Sequence, residues 1–222
     1  MRRLLVLGAL AAGCATGTGE EATGFVEATL LPAGTASGGV RFESALLSLE
    51  EIEFLAAEEE RDEPADDGHG HAHLTAALRA LADPVIDGTS IDLLGAEQPL
   101  GSAEVAVATY EAALLELGAA TMGEAAGCAI FATGNAAVGG ELPVVLCVPA
   151  PVAVEVPLGI EVGLGDTTQL RFVFSLNRLL QGVDVLPLAP DPDGTIRIDA
   201  ATNEAALELV LENLPGVITV AG

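Results

Sequence analysis

The stretch VRFESALLSLEEIEFLA, residues 40–56, decides the fold, because it reads as a strand or as a helix according to how one change of parity is treated. Leu47 and Leu49 alternate, and Ile52 and Phe54 alternate on the opposite parity. A β-bulge at Glu50-Glu51 joins the two sets into one strand. The competing helix runs through Leu46, Leu49, Ile52 and Leu55. The strand is the preferred reading.

The segments on either side agree with it. Upstream, GFVEATLLPAG places Val26, Ala28 and Leu30 on one face of a half-buried strand. Downstream, PVIDGTSIDLL, AEVAVATYEAALLEL, VAVEVPLGIEVGL and TTQLRFVFSL read as strands with Gly-rich boundaries, the last with Leu170, Phe172 and Phe174 on one face. LAPDPDGTIRID reads as a turn at Asp193-Gly194 followed by a strand. HLTAALRALADP is too short to assign. One element has a different period: after Asn203 as N-cap, Leu207, Val210, Leu211 and Leu214 recur at helical spacing until Pro215, which is expected to stop the run. Many short strands with one late helix predict a mainly β fold, a β-sandwich with a short C-terminal amphipathic helix.

The composition narrows the functions open to such a domain. Half of the 222 residues are hydrophobic, only 3% are aromatic and there is no Trp, so the core must be built from Val, Leu, Ile and Ala. The formal net charge is -25, from 33 Asp and Glu against 8 basic residues, every one of them Arg. Nucleic-acid affinity rests on neutralising phosphates with Lys and Arg, so nucleic acid is excluded as a partner. The absence of Lys also excludes a P-loop phosphate site, a pyridoxal-phosphate Schiff base and lysine-activated nucleophiles.

The N-terminus, MRRLLVLGALAAGC, has the layout of a secretory signal: Arg2 and Arg3, an apolar run from Leu4 to Ala12, then small residues before Cys14. Nine apolar residues are too few to span a hydrocarbon core that needs about 20. Ala11-Ala12-Gly13-Cys14 resembles the bacterial lipobox, although Ala11 stands where Leu is commonest, and that resemblance implies a lipidated Cys14. Residues 1–13 are therefore expected to be a signal peptide and residues 14–24 a lipidated, flexible tether rich in Gly and Thr. A single domain would occupy residues 25–222. The expected location is the envelope of a bacterial cell, with the membrane met through lipid on Cys14. No motif specifies a protein partner.

With Cys14 assigned to lipid, Cys128 and Cys147 remain as an even pair in a compartment where disulfides persist. Between them, CAIFATGNAAVGGELPVVLC has two apolar runs about a Gly- and Asn-rich centre, and folding it as a hairpin sets the two cysteines roughly opposite each other. A bridge is expected there.

Two longer patterns carry a family resemblance. The run SIDLLGAEQPLGSAEVAVATYEAALLEL, the tract DDGHGHAH upstream of it, and the closing LNRLLQGVDVLPLAPDPDGTIRIDAATNEAALELVLENL are similar to a group of uncharacterised bacterial lipoproteins. The first run resembles theirs in a "DLL" strand, a Gly-led turn and a strand containing a Tyr. The likeness implies an immunoglobulin-like or prealbumin-like sandwich and brings no catalytic motif with it.

All three histidines, His69, His71 and His73, lie in the charged insertion 57–73, beside Asp66 and Asp67. Imidazole and carboxylate together suit Zn or Cu, which makes this loop the candidate metal site. Alternate residues of a strand stand about 6.6 Å apart, so three histidines in a row do not converge on one ion. Two can chelate with a carboxylate, and Gly68 and Gly70 let the loop curl. A solvated polar loop is the plainer reading. No G-x-S-x-G elbow accompanies these histidines, Asp191-Pro192-Asp193-Gly194 lacks calcium-loop spacing, and Gly163-Leu164-Gly165 lacks the context of a phosphate cradle. The sequence thus points to a non-catalytic binding or structural domain, with metal binding as the alternative and no resident cofactor.

Overall fold

The computed structural model describes residues 22–56, 76–79, 90–137 and 141–221. The fold is mainly β, with strands β1 (Thr23–Ala33), β2 (Ala36–Ser37), β3 (Val40–Ala56), β4 (Ala76–Arg79), β5 (Ser90–Asp92), β6 (Gln98–Ala106), β7 (Ala108–Leu117), β8 (Cys128–Ala137), β9 (Glu141–Pro149), β10 (Val152–Val162), β11 (Thr167–Ser175), β12 (Ile196–Ile198) and β13 (Ile218–Val220). Among the described residues two helices join them, α1 (Leu176–Leu179) and α2 (Glu204–Val217). One sheet has the order β13-β11-β1-β6; the other runs β10-β7-β3-β8-β9-β12, with β2, β4 and β5 also paired to β3.

The inward faces of the two sheets share one core. Val26, Leu30, Phe172 and Phe174 from the smaller sheet join Leu47, Ile52, Phe54, Val154 and Val156 from the larger one in a single apolar cluster. The outer face of the smaller sheet is largely polar, with Phe25 exposed on it near the start of β1. On this face Thr29 and Arg171 both donate to Glu97, and Gln169 donates to Glu27. This is the alternation expected of a sheet buried on one side.

The long strand β3 confirms the strand reading and adds a second bulge of its own, while a third register shift, at Leu55/Ala56, has its extra residue on β7. The register of β3 against β7 shifts between Leu49 and Glu51, where the bulge was expected. A further shift against β8 lies between Phe42 and Ser44. Each extra residue in β3 inverts the parity, so Val40 and Phe42, then Ala45, Leu47 and Leu49, then Ile52 and Phe54 all point inward. At the first shift, Asn135 Nδ2 donates to Glu43 Oε1 at 2.8 Å. Gly134 is required on the facing strand, because a Cβ there would run into the Arg41 carbonyl.

Tyr110 is a core residue. It is 1% exposed, its ring meets that of Phe54 edge-on with centroids 5.9 Å apart, and its hydroxyl donates to the Ala106 carbonyl at 2.9 Å. A Tyr hydroxyl bonded back to the chain a few residues upstream is a known way of fixing a corner in β-sandwiches.

Three expectations are corrected. First, β1 opens at Thr23, two residues inside the expected tether, because Gly165 N–H donates to the Thr23 carbonyl and Val107 N–H to that of Ala22. Second, α2 continues past Pro215 to Val217, and its Leu211 is 37% exposed. Pro215 falls in the last turn, and Arg178 donates to the Gly216 carbonyl at 3.0 Å, satisfying an acceptor at the helix end. Third, Asn203 occupies the N-cap position without capping. It adopts φ 57°, and its Nδ2 donates instead to the carbonyls of Arg197 and Ala189 at 2.6 and 3.2 Å.

The short α1 and the closing β13 have no counterpart in the sequence reading. Ser37 Oγ donates to the Asn177 carbonyl and accepts from Leu180 N–H, while Asn213 of α2 donates to the carbonyls of Leu179 and Gln181. Tertiary partners therefore hold a helical turn that four residues could not hold alone.

Candidate functional site

Cys128 and Cys147 are bridged, with Cα atoms 5.4 Å apart across the β8–β9 hairpin. They are not ladder partners: Cys128 faces Pro149, and Cys147 faces Phe131. The register shift between Cys128 and Ile130 brings them together at the mouth of the hairpin. Around the bridge, Ala120, Ala125 and Phe131 form a small apolar cluster with Leu46 and Val145, separate from the main core. Ala120 N–H donates to the Cys128 carbonyl, and Cys128 N–H to that of Ala125, so the bridge also anchors the segment after β7.

The Asp191–Gly194 segment is a turn, as expected. Gly194 N–H donates to the Asp191 carbonyl at 2.9 Å, and Thr195 N–H to Asp193 Oδ1 at 2.9 Å. Arg197 Nε donates to Asp191 Oδ2 at 2.6 Å, and its Nη2 lies 4.0 Å from Asp193 Oδ2. The guanidinium thus stands where a cation would sit between these carboxylates. The Thr195 hydrogen bonds, and then the Arg197 charge, hold the Asp193 carboxyl below its ordinary range.

Cys14, the histidines His69, His71 and His73, and their neighbours Asp66 and Asp67 lie outside the described residues, as does the whole 57–73 insertion. Among the described residues, no group of three or more His, Cys, Asp or Glu stands close enough to hold a metal. No described helix is long and apolar enough to cross a membrane.

One surface feature escaped the sequence reading. Gly163-Leu164-Gly165-Asp166 forms the tight turn between β10 and β11, closed by Asp166 N–H donating to the Gly163 carbonyl, with Gly165 at φ 70°. Leu164, at its crown, is 74% exposed. The turn is tied to the start of β1, since Gly165 N–H donates to the Thr23 carbonyl and Phe25 N–H to that of Asp166. Val107, at the corner between β6 and β7, donates to Ala22 and is 42% exposed; Phe25 is 41% exposed. Three exposed apolar side chains therefore gather where β1 begins. The signal in the sequence was a Leu set between two glycines, where turn chemistry favours polar residues. No family model, curated protein or solved structure matches the chain.

Proposed function

We propose that the chain is an exported protein anchored to a bacterial membrane through lipid on Cys14, its non-catalytic β-sandwich serving a structural or binding role in the cell envelope. The Cys128–Cys147 bridge carries this reading. Disulfides persist in oxidising compartments, which a chain reaches by export. With that pair bonded, Cys14 is the remaining cysteine, and it follows Arg2-Arg3, a short apolar run and small residues. The resemblance of residues 90–117 and 176–214 to uncharacterised bacterial lipoproteins supports the same conclusion.

Fatty-acid labelling of cells expressing the wild-type chain and Cys14→Ala tests it. The wild type should carry label and fractionate with membranes, and the variant should lose both. Label or membrane association that survives the substitution would overturn the proposal.

A second reading rests on H-x-H-x-H beside Asp66 and Asp67: a lipoprotein that binds Zn²⁺ or Cu²⁺. Calorimetric titration should then show about one ion per chain, with affinity lost at acid pH and lost in the double variant His69→Ala, His71→Ala. Weak binding at many sites that persists in the double variant would mark general attraction of cations to a polyanion.

A further inference from the structure

The exposed apolar side chains of Leu164, Val107 and Phe25 lie at the end of the sandwich where β1, the first described strand, begins. We infer that Leu164, Val107 and Phe25 form a membrane-facing tip, which rests on the lipid surface to which Cys14 is attached. The inference depends on the lipid anchor proposed above.

Two observations support it. The first is reach: eight residues, Ala15 to Ala22, separate Cys14 from Thr23, and a fully extended chain of that length spans at most about 30 Å. The start of β1 therefore lies within about 30 Å of the lipid-bearing residue. A short tether also keeps the tip at high effective concentration beside the lipid, so a contact too weak to bind from solution can still form. The second is placement. The entering chain is hydrogen-bonded to Val107 through Ala22 and to Gly165 through Thr23, so exposed apolar side chains flank the exit toward Cys14. Leu164 is held out on a closed turn, where a polar residue would serve the fold equally well.

The rim of the tip defines the lipid. Glu104, Glu161 and Asp166 are exposed around it, and anionic headgroups would be repelled there. The surface that fits is zwitterionic, with the apolar side chains reaching the boundary between headgroups and acyl chains.

Because the chain has no Trp, Leu164→Trp introduces a single reporter. Met122→Trp is the control: Met122 is 53% exposed and follows the far end of β7, a strand that starts at the tip and runs for about 30 Å. Each lipidated full-length variant is reconstituted into vesicles of phosphatidylethanolamine and phosphatidylcholine, a fraction of the lipid being brominated. Flotation reports the anchor, and Trp emission reports the tip. We expect both variants to float and only Leu164→Trp to shift to the blue and lose intensity to brominated lipid. Vesicle-bound protein in which both reporters remain in water would overturn the tip while leaving the anchor intact. Failure to float would overturn both. Shielding of Leu164→Trp without vesicles, rising with protein concentration, would assign the tip to a second copy of the chain and overturn the inference.

Discussion

Removal of the Cys128–Cys147 bridge should act almost wholly on the unfolded chain. The native hairpin has its own hydrogen bonds, and β8 is paired to β3 on its other side. The two cysteines are 19 residues apart, and closing a loop of that length in the unfolded ensemble corresponds to about 3 kcal/mol in the chain-entropy estimate. For a protein of this size each kcal/mol moves the midpoint by about 2–4 °C, so reduction should lower Tm by about 6–12 °C. Urea denaturation of the oxidised and reduced protein is the direct assay. The reduced form should also show a larger m-value, because its unfolded chain is less compact. The variant Cys128→Ala, Cys147→Ala should lose somewhat more than reduction does, since it also removes sulfur packed against Ala120, Ala125 and Phe131. A stability change below about 1 kcal/mol on complete reduction would refute the reasoning, for it would mean that the 128–147 loop is not a free coil when unfolded.

Other expectations follow from single contacts. Phe172→Ala, at a position with no exposure between the sheets, should cost about 3–5 kcal/mol in urea denaturation, and a loss under about 1 kcal/mol would contradict its place in the core. Asn203→Ala should cost about 2 kcal/mol by combining loss of the Arg197 and Ala189 hydrogen bonds with a strained φ of 57°; Asn203→Gly, free of the strain, should cost about half as much. The Glu97 carboxyl is held below its ordinary value of 4.5 first by the Thr29 hydroxyl and then by Arg171. Its small contribution to stability is therefore present above that value and lost as pH falls through the lowered one. Thr29→Val should move its NMR titration upward, and an unchanged titration would remove Thr29 as the main cause.

How much of this protein could be read from its sequence follows from the range of the forces involved. Alternation set Val26, Ala28 and Leu30, and Leu170, Phe172 and Phe174, on inward faces, because each strand must bury one side in any sheet it joins. The parity change at Glu50-Glu51 was legible because bulky apolar residues stand on both sides of it. The one at Glu43 was not, because the first inward residue beyond the shift is the small Ala45 and the bulky Leu47 comes only two residues later. Cysteine count and hairpin composition were enough to expect the bridge. They could not supply the off-register pairing, which depends on where β8 bulges.

Everything that required a distant partner waited for the tertiary structure. The pairing of β1 with β11 is parallel and joins residues far apart in the chain, so no local pattern announces it. The helical turn α1 exists because Ser37 and Asn213 reach it from elsewhere, and Asn203 leaves its capping role because carbonyls of Arg197 and Ala189 are in reach. The tip is the same kind of fact. Leu164, Val107 and Phe25 are scattered in sequence, and only the meeting of three strand ends at the start of β1 puts them together. Local periodicity records which side of an element is buried; the identity of what lies across from it is a property of the folded chain.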